Sequence, residues 1–320
     1  MPFKYTLMCD TLPWSGYNVL EMPDIVLQAA KEAGYDGVDL PADPTKMDGR
    51  QWRERAEKYG LEVPELLGAW GFYHAGEERN LASPDNDKRQ HAVNYAKSAV
   101  DLASEVGARF IELCASQPAI PELPFPRQSI KTLRQCFRES IKEICEHAAQ
   151  RDVTIVLEPL NCYEGIPGVL TTVYEAINYV DELGLENLGI QPDVYHMNIE
   201  EGSVSDAIRA AGNRIKHFHM NETNHCGFGM GHADFKEIFR ILKGIGYQGY
   251  LATYMPRMTQ EVADSAPGEM YHGGQRSHEV DESARPDLVS ILKRTLSFLK
   301  GMEQAVDLSR EFYEADTVRY

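Results

Sequence analysis

The chain has 320 residues, a formal net charge of −17 and a hydrophobic content of 43%. A chain of this length and apolar content can bury a substantial core and is not of the disordered class. The negative charge argues against a nucleic-acid partner, since proteins that bind nucleic acids present basic patches that displace counterions. It is compatible with a small neutral substrate and with a cation held by carboxylates.

No apolar run approaches the length of a membrane span, and residues 1–10 lack a basic region followed by a long apolar one. We therefore expect a cytoplasmic protein without a membrane partner. The cysteines are scattered and form no Cys-x-x-Cys pair, so we expect reduced thiols rather than a disulfide framework. They are Cys9, Cys114, Cys136, Cys145, Cys162 and Cys226.

The first half of the chain alternates short apolar runs with segments of helical spacing. The runs at residues 4–9, 37–40, 62–67 and 109–113 predict strands. The segments at residues 24–33, 48–59, 85–106 and 130–150 predict helices. Three of these helices are followed by Gly34, Gly60 and Gly107, which is the usual residue after a helix C-terminus. Ser83 and Pro84 predict the start of the third helix.

The second half continues the alternation. Strands are predicted at residues 154–158, 188–192, 215–219 and 249–254, and helices at residues 171–183, 204–211, 235–242 and 286–299. Eight strands alternating with eight helices predict an α/β fold of the (β/α)₈ TIM barrel type. We expect one barrel domain at residues 1–306, with proline-rich and polar loops at residues 116–127 and 257–284. The tail at residues 307–320 is expected to pack on a neighbouring subunit of an oligomer.

Three predicted strands end in groups that can bind a metal or move a proton. Glu158 follows the fifth strand, Asp193 the sixth, and His219 lies at the end of the seventh. Active sites of TIM barrels lie at the C-terminal ends of the strands, so these side chains should converge. One polar residue at a strand end is usually structural, but three at successive ends favour a metal site. Two carboxylates and one imidazole suit Mn²⁺, Mg²⁺ or Co²⁺.

The sequence around these residues resembles a known family. The runs E-P-L-N-C-Y-E at 158–164, D-V-Y-H-M-N-I-E-E at 193–201 and H-F-H at 217–219 are similar to those of sugar phosphate isomerase/epimerase barrels of the xylose-isomerase-like type. The nearest branch is the ketose 3-epimerases that act on tagatose, fructose and allulose. The resemblance implies a divalent metal bound by Glu158, Asp193 and His219. Mn²⁺ is the metal we expect first, with Mg²⁺ or Co²⁺ as alternatives. It also implies substrate contacts by Glu164 and His196.

The sequence departs from the family at the last strand. The epimerases have a glutamate there, which is the fourth metal ligand and the second catalytic base, whereas this chain has Tyr254. Strand alternation puts Thr253 on the other face, so it is no substitute. Either water or a side chain of the loop at 257–284 is left as the fourth ligand. The loop offers Glu261, Asp264, Glu269, His272, Gln275 and His278.

The missing carboxylate changes the expected reaction. Epimerisation removes a proton from one face and returns one to the other, and tyrosine with an ordinary pKa near ~10 is a poor base beside glutamate near ~4.3. We therefore expect β-elimination of a 3-oxo-glycoside, with Glu158, His196 and Tyr254 as the catalytic groups. The C-glycoside deglycosidase catalytic subunits of this superfamily imply such a reaction, with Mn²⁺ and a small β-subunit partner. Ketose 3-epimerase is the alternative.

Aromatic residues near the strand ends fit a substrate with a flat aglycone. Those expected to line the pocket are Trp14, Trp70, Phe72, Tyr73 and Phe228, with His74 as a further substrate contact. The competing interpretation is that they are ordinary loop and core aromatics. Two other functions remain: a repair endonuclease-like barrel, which needs more histidines and a basic groove, and a barrel without catalysis that serves as a binding subunit.

Overall fold

The computed structural model describes residues 2–67, 79–115, 128–256, 283 and 285–317, without the side chains of Trp14 and residues 310–317. Its strands form one parallel eight-stranded sheet in the order β6-β5-β4-β3-β2-β1-β8-β7. They are β1 Lys4–Met8, β2 Gly37–Pro41, β3 Glu65–Leu67, β4 Phe110–Leu113, β5 Thr154–Leu157, β6 Leu188–Ile190, β7 Phe218–Met220 and β8 Tyr250–Thr253. Bridges between Ile190 and Ile215 and between Asp193 and His219 join β6 to β7. The predicted (β/α)₈ TIM barrel is confirmed.

Helices surround the sheet. Within the described ranges they are α1 Pro23–Ala33, α2 Gly49–Tyr59, α3 Asn86–Val106, α4 Ile130–Ala149, α5 Val173–Leu183, α6 Val194–Glu200, α7 Val204–Ala211, α8 Phe235–Gly244 and α9 Leu288–Thr317. Local signals fix many of their ends. For example, Thr172 and Glu175 form a reciprocal capping box at the start of α5. No helix of the described part is long and apolar enough to cross a membrane.

Several predicted boundaries differ from the structure. Helix α3 begins after Asp85, whose carboxylate accepts from Asp87 N and Lys88 N, rather than at Pro84. Helix α6 has only seven residues and was not predicted. Helix α9 runs without interruption across the expected boundary at 306 to Thr317. The expected loops at 116–127 and 257–284 fall outside the described residues, apart from Ser283.

The apolar core lies mainly between the sheet and the helices, where Phe137, Phe218 and Phe239 are fully buried. A small apolar cluster of Met8, Leu67 and Ala252 lies in the barrel interior, with Tyr254 against it. Many of the other described side chains in the interior are polar. The buried ones include Thr6, Asp39, Glu65, Glu112, Glu158, Asp193, His217 and His219. Buried charges require partners, so this concentration marks the interior as the candidate site.

Candidate active site

The three predicted metal ligands come together at the C-terminal ends of β5, β6 and β7. His219 Nδ1 lies 2.7 Å from Glu158 Oε1 and 3.5 Å from Asp193 Oδ2. One ligand atom from each residue lies within 4.8 Å of the others, and all three side chains are buried. The donor set is that predicted from the sequence.

Asp193 is oriented by helix α6, which starts immediately after it. Its Oδ1 accepts from the backbone N–H groups of Tyr195 and His196 and so caps the helix. Its Oδ2 accepts from Asn221 Nδ2, close to His219. The short helix therefore fixes one oxygen of Asp193 and directs the other into the barrel. Asn221 was not identified from the sequence.

His219 is also held on the side of its ring that faces away from Glu158 and Asp193. Its Nε2 lies 3.5 Å from Glu65 Oε2 and 2.5 Å from Gln191 Nε2. Gln191 Oε1 has no hydrogen-bond partner among the described residues. Rotating that amide by half a turn lets Oε1 accept from His219 Nε2–H, which satisfies both groups. Nδ1 is then the nitrogen that faces Glu158 and Asp193 and that is left for metal ligation.

A second buried polar layer lies beneath His219. His217 Nε2 is 3.1 Å from Asp39 Oδ2 and 3.3 Å from Glu65 Oε2, and Thr6 Oγ1 donates to Asp39 at 2.5 Å. Burial raises the pKa of Glu65 to about 7, against the opposing charge of His217. Although burial opposes it, the carboxylates of Glu65 and Asp39 raise the pKa of His217. This layer supports His219 from below.

The electrostatics of the three ligands favour a cation. Burial raises the pKa of Glu158 despite the charge of His219. Burial lowers the pKa of His219, but Glu158 and Asp193 outweigh it and raise that pKa well above its usual value. Without another positive charge nearby, Glu158 and Asp193 thus keep the imidazole of His219 protonated. A divalent cation can replace that proton, so the residues present fit a divalent metal site.

Glu112 of β4 adds a buried carboxylate beside Glu158. Cys114 Sγ lies 3.6 Å from Glu112 Oε1 and 3.8 Å from Glu158 Oε2, and ligand atoms of the three residues lie within 4.8 Å of one another. Glu112 is therefore a candidate for the fourth ligand. The candidates predicted from the loop at 257–284 lie outside the described residues. Glu112 was missed, although an acidic residue within an apolar strand was a signal for it.

Tyr254 lies near the predicted ligands, as strand alternation implies. Thr253 Oγ1 contacts Tyr35 Oη at 2.7 Å in the outer layer, whereas the Tyr254 ring lies 5.8 Å from the His219 ring. Burial, followed by the negative charge of Asp193, raises the pKa of Tyr254 well above its ordinary value. Its phenol therefore holds its proton at neutral pH.

A stack of three rings covers this side of the site. The His225 ring lies 5.0 Å from that of Tyr254 and 3.6 Å from that of Tyr195, nearly parallel to both. His225 has a positive φ of 54°, a backbone conformation that a side chain other than glycine adopts at a cost. No pattern in the sequence distinguished His225 or Tyr195.

The predicted substrate contacts are placed in part. His196 is buried, and its Nδ1 lies 2.8 Å from Asn161 Nδ2, which in turn donates to Glu164 Oε1 at 3.2 Å. His196 and Glu164 are thus joined through Asn161. Trp70, Phe72, Tyr73 and His74 lie outside the described residues, as does the side chain of Trp14.

The prediction that Phe228 lines the pocket is wrong. Its ring packs 5.3 Å from Phe235 and 6.3 Å from Phe298, in the outer layer between α8 and α9. Apolar packing against two helices explains it, so it follows the competing interpretation of a core aromatic.

Comparison with known proteins places the chain among sugar-modifying barrels. The family of xylose isomerase-like TIM barrels matches residues 27–276. The chain is 28% identical over 243 residues to a ketose 3-epimerase of Arthrobacter globiformis, covering 75% of this chain and 80% of that protein. It is 32% identical over 230 residues to a D-psicose 3-epimerase of Ruminiclostridium cellulolyticum, covering 70% and 74%.

A related protein acts on an oxidised glycoside. The 3-dehydro-D-guloside 4-epimerase of Escherichia coli is 25% identical over 238 residues, covering 73% of this chain and 86% of that protein. Among solved structures, an L-ribulose 3-epimerase superposes with a TM-score of 0.78 over 98% of both chains at 21% identity. The last comparison bears on the fold alone.

Proposed function

The chain belongs to the xylose isomerase-like TIM barrel family, and from this premise we propose that it is a divalent-metal-dependent sugar epimerase. It moves a proton on the carbon next to a sugar ketone and returns one to the other face. The observation that carries the proposal is the convergence of Glu158, Asp193 and His219 in a buried, polar barrel mouth. Relatives named as epimerases support this over the elimination favoured by the sequence.

Each residue has a definite task. Glu158 removes the proton, and Asp193 and His219 complete the site for the cation, for which Mn²⁺ is our first choice. When bound, the cation supplies a Lewis acid that polarises the ketone and offsets the charge developing on its oxygen.

Glu164 and His196, linked through Asn161, bind sugar hydroxyl groups. The polar layer of His217, Asp39 and Glu65 keeps His219 in place.

The substrate is proposed to be either a free ketose or a 3-oxo-glycoside, since both carry an acidic proton beside a ketone. Both classes occur in the names of relatives. We also propose that the protein forms an oligomer, in which residues 307–320 pack on a neighbouring subunit.

β-Elimination from a 3-oxo-glycoside is the second candidate, and one observation favours it. Tyr254, whose pKa is raised, occupies the position at which the resembling epimerases carry a second carboxylate. An elimination needs one base and one acid rather than two opposed bases. In this case a small β-subunit would be the expected partner.

Incubation in D₂O separates the two reactions. The Mn²⁺-loaded protein is mixed with a ketohexose or with a 3-oxo-glucoside, and the products are followed by NMR. Epimerisation gives a new epimer with deuterium at the inverted carbon, whereas elimination releases the aglycone and leaves an unsaturated sugar.

Glu158→Gln serves as the control, because it keeps the shape of the side chain but cannot act as a base. It is expected to reduce either reaction by at least about 10³-fold. Release of aglycone without any epimer would overturn the epimerase proposal. Turnover that persists after complete chelation of divalent metal would overturn the site assignment.

A further inference from the structure

Inversion at a carbon needs a proton donor on the face opposite the base. Glu158 serves one face, and Tyr254 is a poor substitute for the carboxylate that would serve the other. We propose that Asp10, immediately beyond the C-terminal end of β1, is the group that exchanges the proton on the second face. This inference rests on the proposed epimerase function, and it names a residue that the sequence did not single out.

Strand alternation directs Asp10 into the barrel. Thr6 donates to Asp39 in the interior, and Met8 lies in the interior cluster with Leu67 and Ala252. The strand hydrogen bonding continues to Cys9, whose N–H donates to Asp39 O at 2.9 Å. Asp10 lies two residues beyond Met8, so a continued alternation places it inward after Thr6 and Met8. The burial of its Oδ1 and the charges of Glu112 and His219 that act on it agree with this position.

The strand order places Asp10 across the barrel from Glu158. Between β1 and β5 lie three strands on either side: β2, β3 and β4 in one direction, and β8, β7 and β6 in the other. Side chains at the ends of β1 and β5 thus face each other over the mouth. A sugar bound between them offers one face to Glu158 and the other to Asp10.

Asp10 is also next to the strand that lacks the expected glutamate. β1 pairs with β8, with Leu7 opposite Thr253, so Met8 is level with Tyr254. Asp10 lies two residues beyond the end of β1, on the side of the barrel opening. A carboxylate that follows β1 can therefore take over a task that the resembling epimerases assign to β8.

The surroundings of Asp10 suit a group that both gives and takes a proton. Its Oδ1 is buried and has no hydrogen-bond partner among the described residues. Burial, and next the negative charge of Glu112, raise the pKa of Asp10 to about 7, while the charge of His219 opposes them. These interacting groups all belong to the barrel interior. An acid with this pKa is near the optimum for proton transfer at neutral pH.

The proton balance is complete within the chain. The Glu158 carboxylate takes the proton from the carbon beside the ketone, and the bonding pair moves to form a carbon–carbon double bond as the carbonyl becomes an enolate oxygen. Protonated Asp10 then delivers its proton to the opposite face of that carbon, and the carbonyl reforms. Glu158 ends protonated and Asp10 ionised, and exchange with solvent resets both.

The test compares two readouts of Asp10→Asn in D₂O. One-face exchange needs only Glu158, so the variant is expected to incorporate deuterium into unreacted substrate within about 10-fold of the parent rate. Formation of the epimer is expected to fall by at least about 100-fold. A residue that merely supports the fold would reduce both rates together. Asp10→Glu should recover part of the epimer formation.

Two further variants complete the experiment. Asp48→Asn is the matched control: Asp48 caps α2 by accepting from Gln51 N, and asparagine caps equally well, so both rates should match the parent. Tyr254→Phe identifies the competing donor. If Tyr254→Phe shows exchange without epimer while Asp10→Asn forms epimer normally, the inference about Asp10 is overturned. If the parent protein itself neither exchanges nor epimerises any substrate, the proposed function fails instead.

Discussion

For single residues, burial is the main influence on the ionisation of the acids in the barrel interior. Asp10, Glu112, Glu158 and Asp193 surround one opening, and the positive charge described nearest to them is that of His219. Burial raises the pKa of Asp10 and of Glu158, and neighbouring carboxylates add to both shifts. Burial also opposes the ionisation of Asp193, but the charges of His196 and His219 outweigh it and lower the pKa of that carboxyl. The site therefore favours a bound cation. Without one, ionisation of its buried acids destabilises the folded protein.

The raised pKa of Asp10 predicts how Asp10→Asn changes the free energy of unfolding with pH in the metal-free protein. The folded-state pKa of Asp10 is about 7, above its ordinary value of 3.8, so the stability it contributes is complete below about pH 4 and is lost as the pH rises through 7. Asparagine has no such loss. We expect the variant to gain on the order of 1–2 kcal/mol over the parent between pH 5 and pH 8 after solvent screening.

Urea unfolding in EDTA at both pH values measures this difference. Groups distant from Asp10 titrate alike in both proteins, so the comparison reports on Asp10 together with the neighbouring charges of Glu112 and His219. An equal difference between parent and variant at pH 5 and pH 8 would show that Asp10 ionises as an ordinary exposed acid.

Among the elements, the connection from β7 to α8 carries His225, the middle ring of the stack, and is held by one buried side chain. Glu222 Oε1 accepts from Thr223 N at 3.0 Å and Ala233 N at 3.2 Å, and its Oε2 accepts from Gly229 N at 2.9 Å. Gly231 passes so close that a Cβ there would lie 2.3 Å from Glu222 Oε1. One carboxylate thus sets the path of residues 222–233, including His225.

Replacing Glu222 should therefore affect both stability and the site. Glu222→Ala leaves three backbone N–H groups without their acceptor, and we expect a loss of about 2–4 kcal/mol in the free energy of unfolding. Activity should fall as well, because His225 and the Tyr254 ring lose their support. Urea unfolding and the epimerisation assay measure the two effects.

Glu222→Gln is the matched variant. It keeps one acceptor oxygen, so its loss should lie between those of the parent and the alanine variant. Full activity in Glu222→Ala would mean that the ring stack takes no part in the reaction.

At the scale of the whole molecule, the two ends of the chain close the barrel together. Glu303 of α9 accepts from Phe3 N at 3.0 Å and from Tyr5 Oη at 2.8 Å, and it pairs with Lys243 at 2.9 Å. These contacts fasten β1 and α8 to the last helix. Because β1 leads into Asp10 and lies beside β8, the contacts at the bottom of the barrel also affect the geometry of its mouth.

A bound cation should stabilise this whole assembly, since its ligands come from three different strands. At a free Mn²⁺ concentration 100 times the dissociation constant, the free energy of unfolding should rise by about 2.7 kcal/mol. For a chain of 320 residues this corresponds to a rise in Tm of about 4 °C. EDTA should reverse the shift. Differential scanning calorimetry with and without Mn²⁺ measures it.

Asp193→Asn provides the control for that experiment. Asparagine can still cap α6 through its oxygen, but it lacks the charge that a divalent ligand supplies. The variant should fold and lose most of the Mn²⁺-dependent shift. An unchanged shift would place the cation elsewhere in the protein.

The barrel and the convergence of Glu158, Asp193 and His219 could be predicted from the amino-acid sequence. Short-range patterns suffice for these, because strand alternation, helix periodicity and glycine after a helix are local, and parallel strands bring their ends to one edge. The assignment of these three residues as metal ligands stays a prediction. Helix α6 escaped detection because it is short and begins at Asp193, a residue already interpreted as a ligand.

Which other groups lie at the barrel mouth with these three residues became visible in the folded protein. Asp10 faces Glu158 from 148 positions away in the chain, Glu112 approaches Glu158 from the next strand, and Gln191 and Glu65 hold the far side of His219. The position of Phe228 in the outer layer, against Phe235 and Phe298, also depends on tertiary packing. Such contacts depend on how the sheet closes and on which side chains can be buried together, and a local pattern along the chain carries no information about either.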